Sequence, residues 1–405
     1  MENSTRPAGP SGAPARSTGP VRSTGPARST GPARLEGGRV SGRQMAVLFV
    51  ITRVFWGTII APVVTTGGAD RDAWLAILIS TAAAVPFGLW VAKLGAMHPG
   101  RTLAGIVLDT LGRPLGTLVG LGLAVYFVAL AAAGARALGE AYTSVFMRAT
   151  PLVVFVAATV GLGAVAARSG LETLARAAEN TLVLTILVIA AVLILPAARM
   201  DFRRLLPVLD RGLGPVVRAS LVVLAFDVEV VSLAMVFPFL NRPRDAARHV
   251  VTAVLLGAGL ILPPAVTVVA LFGPEAPKLV TPFLDQATMI SIAGFLERME
   301  LLPLVAWTMM AWLKVGFYQW AGVMTLAEVL GLAGYRPLVY PTAFLTTVLA
   351  MLLYRNIYDF LDFVSPGVFG TWGTAGVVGL VGLLTAASLV RRGRRGPAPG
   401  TATRG

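Results

Sequence analysis

Residues 224–241 read LAFDVEVVSLAMVFPFLN. The stretch is apolar enough to cross a membrane, yet Asp227 and Glu229 stand two positions apart near its middle. In a regular α-helix, residues two apart point about 200° away from each other. The two carboxylates therefore cannot share a face, and on a plain spanning helix one of them tends toward lipid at a cost of at least ~2.5 kcal/mol. Local unwinding is cheaper if both carboxylates and the freed backbone groups then turn to an internal cavity. A broken helix at the bilayer midplane is one way a membrane protein builds a binding site. The plainer alternative is a carboxylate satisfied by packing contacts inside an ordinary bundle.

The rest of the chain has the same character. Of its 405 residues 56% are hydrophobic and only 13% charged, about half the charged share of a soluble domain. With no cysteine, disulfides, thiol catalysis and cysteine metal sites are excluded. The two histidines, His98 and His249, fall near loops. No P-loop, complete GxGxxG run or catalytic constellation is present, so neither an enzyme nor a cofactor is expected. The net charge of +14 collects at the ends and between apolar runs, which favours anionic lipid headgroups over nucleic acid as the partner of the basic tails.

Residues 1–42 carry tandem RSTGPV, RSTGPA and RSTGPA and few apolar side chains, the composition of a disordered basic tail. Residues 43–390 form the polytopic membrane domain, and 391–405 a second basic tail. Ten apolar segments are expected to span, at 44–66, 73–95, 115–138, 150–168, 176–197, 215–240, 248–272, 301–330, 336–354 and 364–390. Both tails and the even-numbered connections hold about two thirds of the 34 Lys and Arg, which places both termini in the cytoplasm. One connection resists this rule. Arg199, Arg203, Arg204, Arg211 and Arg218 gather on the expected outer side, in a stretch that reads as an interfacial amphipathic helix.

The first segment carries Arg53 inside it, then Gly57 and Pro62, so it too reads as interrupted. Segments one and six correspond if the ten form two inverted sets of five, and paired interruptions point to a site between the halves. Lys314 lies mid-span in segment eight and shares a face with Trp307 and Tyr318. A buried ammonium needs a partner, with Glu229 and Asp227 as candidates; the alternatives are snorkelling or bonds to carbonyls alone. Tyr126 stands mid-span in segment three, where its hydroxyl faces either a cavity or the backbone. Gly373, Gly376, Gly379 and Gly382 form a stripe in segment ten that reads as a close helix contact.

Several pieces together resemble a known family. These are DAWLAIL (72–78), HPGRTL (98–103), LLPVLDRG (205–212), VEVVSLAMVFPFLN ending at Asn241, and FLERMELLPLVAWTMMAWLKVGFY ending at Tyr318. Their order and spacing are similar to the B-subunit family of endospore germinant receptors (the GerAB type), within the amino acid/polyamine/organocation transporter superfamily. The resemblance implies an all-α membrane fold of about ten helices as two inverted five-helix repeats, LeuT-like, with helices one and six broken. It implies a germinant-binding subunit in the spore inner membrane, acting with an A-type membrane subunit and a C-type lipoprotein. By position, Glu229 matches the family's helix-six glutamate, Lys314 its helix-eight lysine, and Arg298 with Glu300 its Arg-x-Glu pair. Where the family often has Phe-Gly-Glu, this chain has Asp227-Val228-Glu229.

The expected ligand is a small amino acid between segments one and six. Its carboxylate would meet N–H groups at Gly57, Thr58 and Ile59, and its ammonium carbonyls or a carboxylate near Asp227. Arg53, Arg298, Glu300, Lys314 and Tyr318 are the candidates for coupling or structural charge. An amino-acid secondary transporter, with or without proton coupling, and an assembly subunit with a vestigial pocket are the competing readings.

Overall fold

A computed structural model describes residues 35–59, 69–279, 281–290 and 299–394. The chain there is helical throughout, and the only strand-like pairing among the described residues is an isolated bridge between Val40 and Leu240. Among the described residues, seven helical stretches are long and apolar enough to cross a membrane: Asp70–Met97, Arg113–Phe146, Leu152–Ser169, Leu171–Arg199, Pro243–Lys278, Leu301–Val329 and Pro366–Arg391. They correspond to segments two, three, four, five, seven, eight and ten. The other three segments are short or polar helices: α1 (Gly42–Ile59), the one ending at Asp227, and Arg336–Leu352.

The first helix starts where local chemistry starts it. Ser41 Oγ accepts from Gln44 N at 3.1 Å and Gln44 Oε1 accepts from Ser41 N at 2.9 Å, a reciprocal cap for two otherwise unpaired donors. Next come α2 (Ala73–Met97), α3 (Leu103–Leu111), α4 (Arg113–Ala141), α5 (Leu152–Ser169) and α6 (Leu171–Ile194). Thr102 Oγ1 caps α3 by accepting from Gly105 N at 3.0 Å. Gly170 makes the turn between α5 and α6 at φ 101°, a conformation that suits glycine alone. The second half holds α7 (Leu213–Asp227), α8 (Ala246–Phe272), the short α9 (Pro282–Thr288), α10 (Leu301–Val329), α11 (Val339–Leu352), α12 (Ile357–Phe363) and α13 (Thr374–Arg394).

The α10 helix is the inner post of the bundle. Its most apolar window is 67% buried, against 17% for the stretch that contains α13, and it packs on α1, α4, α5 and α6. Gly163 of α5 and Gly316 of α10 allow these two to touch closely: a Cβ at Gly316 would lie 3.2 Å from the Gly163 carbonyl oxygen. The glycine stripe of segment ten makes no such contact inside the chain. Gly376 and Gly379 face open space, Gly373 lies against Phe369 of its own segment, and Gly382 approaches Trp90.

Segment six changes its winding at the expected place. The α7 helix ends at Asp227 and Val228–Met235 continues as a 3-10 helix, followed by Phe237–Phe239 in the same form. The opening is thus a tighter spiral rather than extended chain. Asp227 and every residue of Val228–Met235 are buried, so both carboxylates escape lipid by being surrounded with protein. In segment one, α1 is continuous through Gly57 and ends at Ile59; Pro62 lies outside the described residues.

The outer arginines do not form an amphipathic helix. Their stretch is two short 3-10 turns, Ala197–Arg199 and Phe202–Leu205, and the side chains tie down oxygens. Arg199 donates to Met289 O at 2.7 Å, Arg204 to Leu271 O in the last turn of α8, and Arg211 pairs with Asp70 at 2.5 Å. Carbonyls at helix ends lack partners within the helix and favour cations, which accounts for Arg199 and Arg204 against the inside-positive trend, while Arg211 answers a carboxylate. The packed chain also begins before the 42/43 boundary. Glu36 is buried, and its Oε2 accepts from Tyr335 OH at 2.9 Å, Trp320 Nε1 at 3.2 Å and Leu171 N at 3.3 Å. Burial, and then the Glu36 carboxylate, push the Tyr335 phenol above its ordinary value, so it stays protonated as a donor.

Candidate functional site

The two carboxylates of the opening stretch diverge into two ion pairs. Asp227, the last α-helical residue of α7, meets Arg53 of α1 through one oxygen and the Ser80 hydroxyl of α2 through the other. Glu229, in the first 3-10 turn, turns to α10. Its Oε2 accepts from Lys314 Nζ at 2.8 Å and from Tyr318 OH at 2.6 Å. Lys314 Nζ also reaches the Thr52 carbonyl at 3.4 Å. Two cations thus face two carboxylates, all buried, and the cluster is neutral as a whole. That balance permits burial, since an unpaired charge there would cost several kcal/mol. The arrangement leaves Arg53 Nη1 and Nη2, Glu229 Oε1 and Trp56 Nε1 buried without a partner.

Beside the cluster lies a cavity of about 650 Å³. It opens between α1, α4, the 3-10 stretch and the C-terminal segments, and Trp56, Tyr126, Phe226, Val231, Phe360 and Phe369 are among its walls. Trp56 is the partition. Its ring stacks on Phe360 (centroids 5.9 Å apart, planes at 16°) and touches Phe226 at 5.1 Å, while Lys314 Nζ stands 5.2 Å from its centroid. An occupant that displaced the indole would disturb a cation–π contact and the Lys314–Glu229 pair behind it. The walls are mainly apolar and aromatic, with the Tyr126 hydroxyl and the Trp56 indole among the few polar groups, a composition suited to a small apolar ligand.

The structure brings Arg53, Asp227, Glu229, Lys314 and Tyr318 together and sets Tyr126 on the adjoining cavity wall. Gly57 lies inside α1, where an added Cβ would collide with Ile261 of α8 at 2.3 Å, so its visible role is close packing. Thr58 Oγ1 accepts from Trp307 Nε1 at 2.8 Å and donates to the carbonyls of Val54 and Phe55. Ile59 is the final residue of α1. Glu300 stands at the start of α10, about 21 Å along the axis from Lys314 at the α-helical rise. Arg298 lies outside the described residues. Sequence reasoning missed Ser80, Trp56 and the Thr52 carbonyl; of these only Trp56, beside Gly57, carried a signal.

The profile of the family described as "Spore germination protein" matches residues 39–359. The chain belongs to the spore germination protein family. Among curated members it is 27% identical to "Spore germination protein KB" of Bacillus subtilis (strain 168), over 81% of this chain and 88% of that one. It is 24% identical to "Spore germination protein A2" of the same organism, over 66% and 74%. Solved structures share the fold at lower identity. Mhp1, a nucleobase-cation-symport-1 family transporter in a closed conformation with bromovinylhydantoin bound, superposes with a TM-score of 0.65 at 16% identity, over 91% of this chain and 82% of that one. MhsT in complex with L-phenylalanine gives 0.59 at 13%, over 87% and 98%. This family member is therefore an all-α integral membrane protein with the LeuT-like transporter fold, and not an enzyme.

Proposed function

We propose that the chain is the germinant-receiving membrane subunit of a spore germination receptor. In this reading it sits in the spore inner membrane beside an A-type membrane subunit and a C-type lipoprotein. The ligand is a small molecule with an apolar body, an amino acid being the first choice. It enters the cavity beside segment six and presses on Trp56. Trp56 in turn biases the Lys314–Glu229 pair and the packing of α1, α10 and the 3-10 stretch, and the partner subunits read the altered balance of states. The observation that carries this reading is the contact of one indole with both the cavity and the buried ion pair.

Filling the cavity is the test. Gly376 lines it and has open space where a side chain would go. Gly376→Leu should raise the germinant concentration needed for half-maximal germination by roughly tenfold or more, at unchanged receptor level in the membrane. An unchanged dose response would remove the cavity from the mechanism. The transporter fold of Mhp1 and MhsT favours a second reading, secondary transport of an amino acid. Saturable, gradient-driven uptake into liposomes holding this subunit alone would select it.

A further inference from the structure

A second cavity, of about 430 Å³, lies at the opposite end of the bundle from the outer arginines. Its walls include His98, Arg101, Asp109, Thr110, Ser388 and Arg391, where α2 ends, α3 runs and α13 finishes. This is the end that the Lys and Arg distribution assigns to the cytoplasm, at the depth where spanning helices meet lipid headgroups.

On the cavity wall itself two guanidiniums, Arg101 and Arg391, stand against one carboxylate; a second, Glu328, lies behind the wall and accepts from Thr102 Oγ1 at 2.6 Å. The one carboxylate on its wall, Asp109, is held by Arg101 at 2.7 Å. Arg391 donates to the backbone carbonyl of Asp109, so its charge meets no carboxylate there. His98 Nδ1 faces the Leu94 carbonyl at 3.2 Å, and its Nε2 faces Ser388 Oγ at 3.3 Å. Ser388 spends its own proton on the Leu384 carbonyl at 2.6 Å. Each ring nitrogen thus has a partner within the chain. Thr110 Oγ1 is a further wall atom, buried and without a partner.

The surface beside the cavity is apolar. Leu383, Leu389 and Val390 of α13 are each half or more exposed, as a lipid-facing helix surface requires. We propose that this cavity binds the phosphate of an anionic phospholipid, with Arg101 and Arg391 as charge partners, Thr110 as a neighbouring donor, and the acyl chains along α13. A phosphate suits the site because guanidinium groups present paired donors to its oxygens. The site does not depend on the germinant cavity.

The test uses the full chain, delipidated in an uncharged detergent and titrated with phosphatidylglycerol or phosphatidylcholine, with bound lipid counted by native mass spectrometry. Phosphatidylglycerol should bind saturably and phosphatidylcholine far more weakly. Arg101→Gln and Arg391→Gln should each weaken phosphatidylglycerol by roughly five- to tenfold. Asp109→Asn should strengthen it, a gain that misfolding cannot imitate. Binding unchanged in all three variants, or weakened equally by Arg211→Gln at the other end, would overturn the site. Inorganic phosphate that displaces the lipid at equal concentration would overturn the lipid as occupant and assign the cavity to a soluble phosphate.

Discussion

Removing the Lys314 ammonium puts the buried charge pairing to a quantitative test. Lys314→Met keeps the length of the side chain and deletes the cation that faces Glu229 at 2.8 Å. Lys314 is fully buried and Glu229 is 1% exposed, so water cannot take over the lost contact. Glu229 then keeps only the Tyr318 hydroxyl as partner. Breaking a buried pair from one side costs about 3–5 kcal/mol, because the remaining charge is stranded. Glu229→Gln in the same chain removes that charge, so the double variant should recover most of the loss, to within about 1–2 kcal/mol of the parent. Intrinsic tryptophan fluorescence during thermal or denaturant unfolding in detergent reads the effect. Trp56 reports locally, since Lys314 Nζ lies 5.2 Å from its ring. Penalties of the two single changes that simply add in the double variant would show that the pair does not act as a unit, and the neutral cluster would lose its physical basis.

Other expectations follow from groups outside this pair. Glu36→Ala leaves Tyr335 OH, Trp320 Nε1 and Leu171 N without their acceptor, so residues 35–41 should exchange amide hydrogens faster while α10 stays protected; the cost should be about 2–3 kcal/mol. Arg136→Met removes a buried guanidinium that pairs with Glu140 at 2.8 Å and caps the carbonyls of Ala350 and Met351, and should cost about 3 kcal/mol in unfolding free energy. In α9, burial raises the Asp285 carboxyl above its ordinary value of 3.8, the Thr281 hydrogen bonds opposing the shift. The neutral acid is therefore the form favoured when α9 is docked. Its stabilising contribution is complete below the ordinary value and is lost as pH rises through the raised one. Hydrogen-exchange protection of 282–288 should fall as pH rises above the ordinary carboxyl value of 3.8, and Asp285→Asn should flatten the change.

Much of this fold was legible in the chain because apolar length is a one-dimensional signal. The seven helices that pass on length and composition coincide with expected segments, and the three that fall short are those carrying Arg53, the Asp227–Glu229 pair, and the weak ninth run. The angle between Asp227 and Glu229 was readable too, since it depends only on helical geometry. Lys314 was legible as a partner for one of the two, and it takes Glu229; which cation meets which carboxylate was not legible. Arg53 and Asp227 are 174 positions apart, and no local rule chooses Arg53 over Lys314 for Asp227. The outer arginines misled because the inside-positive trend counts charges without asking which carbonyls they hold. Glu36 was hidden in a Gly- and Pro-rich tail, where a single carboxylate gives no sign that three elements converge on it.

Because the chain has no cysteine, a single introduced thiol can report on the cavity directly. Gly376→Cys places it on the wall, and Gly379→Cys places a control one position further along the same stripe, off the wall. Saturating germinant should slow maleimide labelling at Gly376→Cys several-fold and leave Gly379→Cys unchanged. Equal labelling rates at Gly376→Cys with and without germinant would mean that the ligand binds elsewhere.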